Sequence, residues 1–233
     1  MKEIGLLQPG RLGDILICAP IAKYYSDRGY RVVWPIFENF YSMVSDAISY
    51  AEFYPVTKNV YQSVAESHSI FKKLNITNIL DIAATFPGSE STEEYVKCGD
   101  GLGDETFDKF KYRKANVPFE EKWNFTYNRN YSEEEKVYKH IVKHTPYDII
   151  GTKFSGGDLN LRFDSKHNIV KFTDDFSIFH WRKIFEEAEH IALVDSAMAN
   201  FIEQINLPNK KTLIKLTNRP APTFRNNWRY ITI

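Results

Sequence analysis

Two short stretches hold residues whose types and spacing could do chemistry. The first is Leu6-Leu7-Gln8-Pro9-Gly10-Arg11-Leu12-Gly13-Asp14-Ile15-Leu16. The apolar run from Ile4 to Leu7 reads as a buried strand, and a Pro/Gly turn follows it. Apolar residues at Ile15, Cys18, Ala19, Ala22 and Tyr25 then keep helical spacing. Asp14 therefore stands where a strand hands over to a helix, which is the ligand-binding edge of open α/β sheets. Helix N-terminal amides hold a carboxylate and favour its ionised form, so an Asp here could act as a general base. A plain helix cap would use the same residue. Gly10 and Gly13 let a backbone or a ligand approach the turn closely. The second stretch is Asp195-Ser196-Ala197-Met198, behind the apolar run Ile191-Ala192-Leu193-Val194. A strand ends there, a carboxylate and a hydroxyl stand at a helix start, and the first-turn amides are left open. That suits a diphosphate, and it also suits an ordinary N-cap.

The first loop is neither of the common nucleotide loops. A P-loop needs Gly-Lys-Ser/Thr, and here Gly13 precedes Asp14 and Ile15. A dinucleotide fingerprint needs a third glycine that Gly10-x-x-Gly13 lacks. Metal spacing is also missing. His140 and His144 are four apart on a helical pattern, but no third ligand follows, so they read as a solvated face. No Asp-x-Asp triplet occurs, and no metal and no cofactor are expected.

Stepping outward, these residues need elements to carry them. Arg31 to Pro35 reads as a second strand after a stop at Gly29, which makes a βαβ unit and parallel pairing. A short helix over 40–48, a weak strand over 52–56, a helix over 61–74 and a strand over 78–83 continue the alternation. Glycine- and aspartate-rich turns fill 86–104. A helix over 106–115 and an alternating strand over 123–127 follow, and Ser132-Glu133-Glu134-Glu135 reads as a capping box. The pattern restarts at Tyr147 to Phe154, a strand ending in the polar turn Ser155-Gly156-Gly157-Asp158. Strands are expected over 159–163, 169–172, 191–194 and 212–216, with amphipathic helices over 177–188 and after Ser196.

Composition narrows the function classes. The 233 residues carry 30 basic and 30 acidic side chains, so no global field favours nucleic acid or an anionic membrane. No apolar run reaches the roughly 20 residues of a membrane helix. Cys18 falls on the buried face of the first helix, which fits a reduced, cytoplasmic chain better than a disulfide to Cys98.

Taken as an ordered pair, the two stretches resemble a known family. Gly10-Arg11-Leu12-Gly13-Asp14-Ile15-Leu16 with Pro20 resembles the N-terminal motif of heptosyltransferase-type glycosyltransferases. Glu187-Ala188-Glu189-His190 and Leu193-Val194-Asp195-Ser196-Ala197-Met198 resemble its later part. The resemblance covers about the first 35 residues and about 40 in the second half. It implies a compact GT-B fold, α/β, with two Rossmann-like domains facing a cleft. An acceptor-side domain would span 1–130 and a nucleotide-sugar-binding domain 131–216, joined near 128–146. The tail, 217–233, would cross back to the first domain. The resemblance further implies Asp14 as the catalytic base, with Gly10, Arg11 and Gly13 in the acceptor-side loop. Lys153, Ser155, Asp195, Ser196, Ala197 and Met198 would bind the donor. The expected partners are a nucleotide-sugar donor and a saccharide acceptor, in cell-surface polysaccharide biosynthesis. A non-catalytic nucleotide- or glycan-binding module of the same architecture, or a Rossmann-type enzyme of sugar nucleotides, are the alternatives.

Overall fold

The structure is a computed structural model that describes residues 2–97, 105–217, 222–225 and 227–233. The chain divides into two compact units, Met1–Asn128 and Arg129–Ile233. Each is built on its own parallel sheet.

Unit 1 opens with β1 (Lys2–Leu7), α1 (Leu12–Ser26) and β2 (Tyr30–Phe37). It continues through α2 (Glu38–Ala47), β3 (Glu52–Val56), α3 (Ser63–Lys73) and β4 (Ile79–Asp81) to α4 (Glu90–Lys97) and α5 (Phe107–Lys114). The strand order is β3-β2-β1-β4, all parallel, because helical crossovers connect the strands. Order reverses between β1 and β4, where Leu7 lies opposite Asp81. Helix α1 is buried all round from Ile15 to Ala22, Pro20 included, rather than along one face. Such a helix belongs inside a layer, not on its surface. Close packing also explains Gly5, where a Cβ would stand 2.7 Å from the Phe71 ring. Gly29, at φ +79, ends the turn into β2 in the left-handed region that glycine tolerates.

Three sequence expectations change in this unit. Residues 123–127 form no strand: a 3-10 turn spans Phe119–Trp123, and an irregular segment follows it. Phe125 and Tyr127 stack on each other. The strand expected over 78–83 shortens to β4, because Asp81 turns the chain by accepting from Ala83 N–H, Ser89 Oγ and Glu90 N–H. Within 86–104, expected as turns, Glu90–Lys97 forms α4, and the glycine-rich part at 99–104 lies outside the described residues.

Unit 2 contains α6 (Tyr131–Ile141), β5 (Tyr147–Gly151) and a small hairpin of β6 (Lys153–Phe154) and β7 (Gly157–Asp158). After it come β8 (Asn168–Lys171), a 3-10 turn (Ile178–Trp181), α7 (Arg182–Glu187), β9 (His190–Val194), α8 (Ala197–Ile205), β10 (Lys210–Lys215) and β11 (Trp228–Thr232). The order is β11-β10-β9-β5-β8, again all parallel, and it reverses between β5 and β9. Here Asn130, not Ser132, caps α6, with its side chain accepting from Glu133 N–H. Residues 159–163 are irregular, and the helix expected over 177–188 is split into a 3-10 turn and a short α-helix. Its inward residues Ile178, Trp181, Ile184, Phe185 and Ala188 are all buried.

Residues 228–232 of the tail belong to the second unit. They form β11, the edge strand beside β10. The cause is the buried Glu203 of α8, whose carboxylate accepts from Arg225 N–H, the Arg225 guanidinium and the Trp228 indole N–H at 2.8, 2.9 and 2.6 Å. A buried carboxylate that collects donors in this way ties the segment to its own unit.

Candidate active site

In parallel sheets of this kind, ligands bind beyond the carboxyl ends of the strands where the order reverses. Both sequence stretches lie there, one in each unit.

In unit 1 the loop from Gln8 to Arg11 leaves β1 beside β4. Gly10 lies against Phe37, where a Cβ would fall 2.5 Å from the ring, and Phe37 N–H donates to Pro9 O at 2.6 Å. Arg11 is exposed and stands at the N-cap of α1, so Gly13 and Asp14 occupy the first turn. Arg11 N–H donates to Asp14 Oδ2 at 3.4 Å, a long contact for a cap. The shorter contact is to a residue that the sequence reading missed. Lys111 Nζ lies 3.3 Å from Asp14 Oδ1, and the Lys111 side chain is 0% exposed while Asp14 is 16% exposed. Lys111 Nζ also donates to Ile82 O at 3.0 Å and to Gln8 Oε1. Gln8 is itself fully buried. Its Nε2 donates to Gly10 O, and its carbonyl accepts from the Trp34 indole at 2.9 Å. The loop, the carboxylate and α5 are thus joined by hydrogen bonds and one ion pair.

One turn further along α1, burial pushes the Cys18 thiol up to about 12 although Lys111 opposes the shift. A thiol so protonated is no nucleophile. Asp108 of α5 and Lys122 of the 3-10 turn form a second ion pair at 2.6 Å with both side chains 0% exposed.

In unit 2 the register Gly151↔Leu193 sets the ends of β5 and β9 side by side. Lys153 and Ser155 follow the first strand, and Asp195 to Met198 follow the second. Lys153 is exposed and pairs with Asp174 at 3.1 Å, a hydrogen bond that raises its pKa. Ser155 is exposed at the hairpin turn. Asp195 is buried, and its N–H donates to Ile214 O at 3.1 Å. Ser196 is the N-cap of α8 in extended conformation, yet its hydroxyl makes no capping bond. The first amides of a helix have no intrahelical partner, so this N-terminus presents N–H groups and a hydroxyl outward from the strand end. Ala197 is part-exposed. Met198 is buried, its sulfur 3.7 Å from where a Gly151 Cβ would stand, so it wedges α8 against the end of β5.

Among the described residues no group of three or more His, Cys, Asp and Glu is placed to hold a metal ion. None of their helices is long and apolar enough to cross a membrane. The sequence signal that could have found Lys111 is weak: a lysine set between Phe110 and Tyr112 in a helix that otherwise reads as charged.

No sequence-family description matches the chain, and no curated protein matches it. Solved structures do match in shape. The glycosyl transferase family 9 structure from Veillonella parvula superposes with a TM-score of 0.63 at 9% identity, covering 100% of this chain and 85% of that one. The E. coli ADP-heptose lps heptosyltransferase II gives 0.59 at 11% identity, over 99% and 90%. The E. coli heptosyltransferase WaaC with ADP gives 0.54 at 10% identity, over 100% and 93%. The chain therefore has the GT-B-like fold of the heptosyltransferase-type glycosyltransferases.

Proposed function

We propose that the chain is a glycosyltransferase that moves a sugar from a nucleotide-sugar donor to a saccharide hydroxyl without a metal. The observation that carries this reading is Asp14: a carboxylate at the switch point of the first sheet, anchored on one side and open to solvent on the other. In the reaction the acceptor oxygen forms a bond to the anomeric carbon, and its proton passes to Asp14. The bond between that carbon and the donor's diphosphate oxygen breaks, and its electron pair leaves with the nucleoside diphosphate. The developing negative charge is met by the α8 amides, the Ser196 hydroxyl and Lys153, which exchanges Asp174 for phosphate. Asp195, Ala197 and Met198 shape that helix start, and Ser155 stands beside it on the hairpin. Gly10, Arg11 and Gly13 line the acceptor side, and Arg11 adds an exposed cation there.

Neighbouring folds named for ADP-heptose and ADP make an adenine nucleotide sugar the first donor to try. A saccharide of a cell-surface polysaccharide is the corresponding acceptor, with the reaction in the cytoplasm, where nucleotide sugars are made. The test is release of nucleoside diphosphate from ADP-heptose, ADP-glucose, UDP-glucose and GDP-mannose, with chelator present throughout. Turnover in chelator supports the reading. Donor binding with no turnover on any saccharide would favour the non-catalytic module, and activity restored only by Mg²⁺ or Mn²⁺ would overturn the metal-free step.

A further inference from the structure

We infer that Lys111 is a positioning residue for Asp14, fixing from the core the carboxylate that the proposed reaction uses as its base. This rests on the proposed reading of Asp14. The geometry behind it is specific. An ammonium has three donors and no acceptor capacity. Lys111 donates to Gln8 Oε1 and Ile82 O, and its ammonium forms an ion pair with Asp14 Oδ1 at 3.3 Å. The first two acceptors are neutral and buried, so they locate the ammonium without neutralising it. Its charge is met by Asp14, which reaches the surface.

The neighbouring lysine shows what a purely structural pair looks like. Lys122 meets Asp108 at 2.6 Å with neither side chain exposed. Nothing outside the protein can reach that carboxylate. The Lys111 pair is longer and one-sided: the cation is sealed and the anion is open. A carboxylate offers about four lone-pair sites. Lys111 engages Oδ1 and Arg11 N–H engages Oδ2, which leaves capacity for a substrate hydroxyl. The same ammonium is tied through Gln8 to Gly10 O, so the loop and the base are set by one anchor. Holding a reacting group rigidly is where orientation contributes to rate.

The test uses the full chain with Lys111→Met, which keeps the length and apolar stem but removes the charge. Diphosphate release from the nucleotide sugars above should fall by about 10²-fold, the loss expected from a misplaced reacting group. ADP affinity by calorimetry should be unchanged. In an Asp14→Asn background, Lys111→Met should cost nothing more, since there is no base left to place. Normal turnover of Lys111→Met beside an inactive Asp14→Asn overturns the inference and spares the base. Losses that multiply in the double variant overturn it too. Normal turnover of Asp14→Asn overturns the base itself, and with it this role. A readout free of turnover is the lysine ¹⁵Nζ spectrum. Lys111 should give a slowly exchanging ammonium signal that moves in Asp14→Asn, and an unmoved or absent signal overturns the inference. Should Lys111→Met fail to fold, Gln8→Leu removes one neutral acceptor of the ammonium. It should lower turnover in the same direction by a smaller factor, and unchanged turnover would count against the role.

Discussion

The two switch points are built in opposite ways. In unit 1 the edge between β1 and β4 is wired to the core: Asp14 is held by a buried lysine that is held in turn by Gln8 and a main-chain carbonyl. In unit 2 the edge between β5 and β9 is left open. Lys153 and Ser155 are exposed, and the Ser196 hydroxyl caps nothing. The difference matches the demands of the proposed reaction. A proton acceptor must point at one atom, so its side chain needs a fixed direction. A diphosphate is large and multiply charged, and a helix end already supplies oriented dipoles for it. Apolar burial positions those dipoles: Met198 and Leu193 pack around Gly151 at the end of β5.

The largest expected effect falls on the wired side. Asp14→Asn preserves shape and a helix-start residue but removes the negative charge. It should lower turnover by about 10²–10⁴-fold, the usual contribution of a general base. ADP binding should be unchanged, while the melting temperature should fall, because the buried Lys111 ammonium loses its counter-charge. Steady-state kinetics and a melting curve on one variant check both. Near-normal turnover would make the two switch points alike, with neither carrying a base.

Next comes the support under the wiring. Asp108→Ala removes the carboxylate that meets the buried Lys122 and should cost about 3–5 kcal/mol of stability, as for a buried pair that loses one partner. Glu186→Ala in unit 2 breaks contacts of the Arg129–Glu134–Glu186–Arg182 cluster, but at a partly exposed carboxylate. It should cost less than about 1 kcal/mol. Denaturant unfolding of the two variants measures the contrast, and equal losses would remove it.

This contrast also explains what was legible in the sequence. Strands β1, β2, β9 and β10 announce themselves as apolar runs between turn residues, and the restart at Tyr147 marks a second α/β unit. Asp14 and Ser196 were legible because a strand-to-helix handover is a local pattern. Lys111 was not, because burial of a charge depends on partners distant in sequence: Gln8 is 103 positions away and Ile82 is 29. A lysine in Phe-Asp-Lys-Phe-Lys-Tyr-Arg-Lys reads as solvated until those partners are seen. Residues 123–127 failed in the other direction. Their alternation of large and polar residues mimics a strand, yet they form an irregular segment in which Phe125 and Tyr127 stack. The pairing of β11 is hidden for a related reason. Glu203 looks like a surface carboxylate of an amphipathic helix, and its role appears only with Arg225 and Trp228 placed on it.

A smaller effect is expected on the open side. Ser196→Ala should weaken ADP binding by about 1–2 kcal/mol, the range for a hydrogen bond to a charged group. Stability should hardly change, because the hydroxyl is not engaged in capping. Isothermal calorimetry decides it. Unchanged affinity would show that backbone amides alone suffice, and a large fall in melting temperature would show that the hydroxyl is structural.

The smallest expected effect lies at the opposite end of the second sheet and tests whether unit 2 is as indifferent to charge there as at its open edge. His190 begins β9, with Nε2 2.9 Å from Thr212 Oγ1. Burial lowers its pKa below the usual 6.5, although Asp148 pulls the other way. Lys210 and Arg229 add to the lowering. A histidine with a depressed folded pKa takes up its proton more readily when unfolded. Stability is therefore full above pH 6.5 and declines as pH falls below it toward the folded value. Asp148 runs on a lower scale. Burial pushes its pKa up, but hydrogen bonds from Ser165 and His167 outweigh this and leave it lowered, so its contribution is lost only at more acid pH, below 3.8. The two groups can thus be separated by pH. His190→Gln keeps a polar partner for Thr212 and cannot titrate. Melting temperature followed from pH 7 to pH 5 should decline less in the variant than in the parent chain. Parallel curves would mean that His190 is protonated with equal ease in both states, and that the buried strand start tolerates the charge.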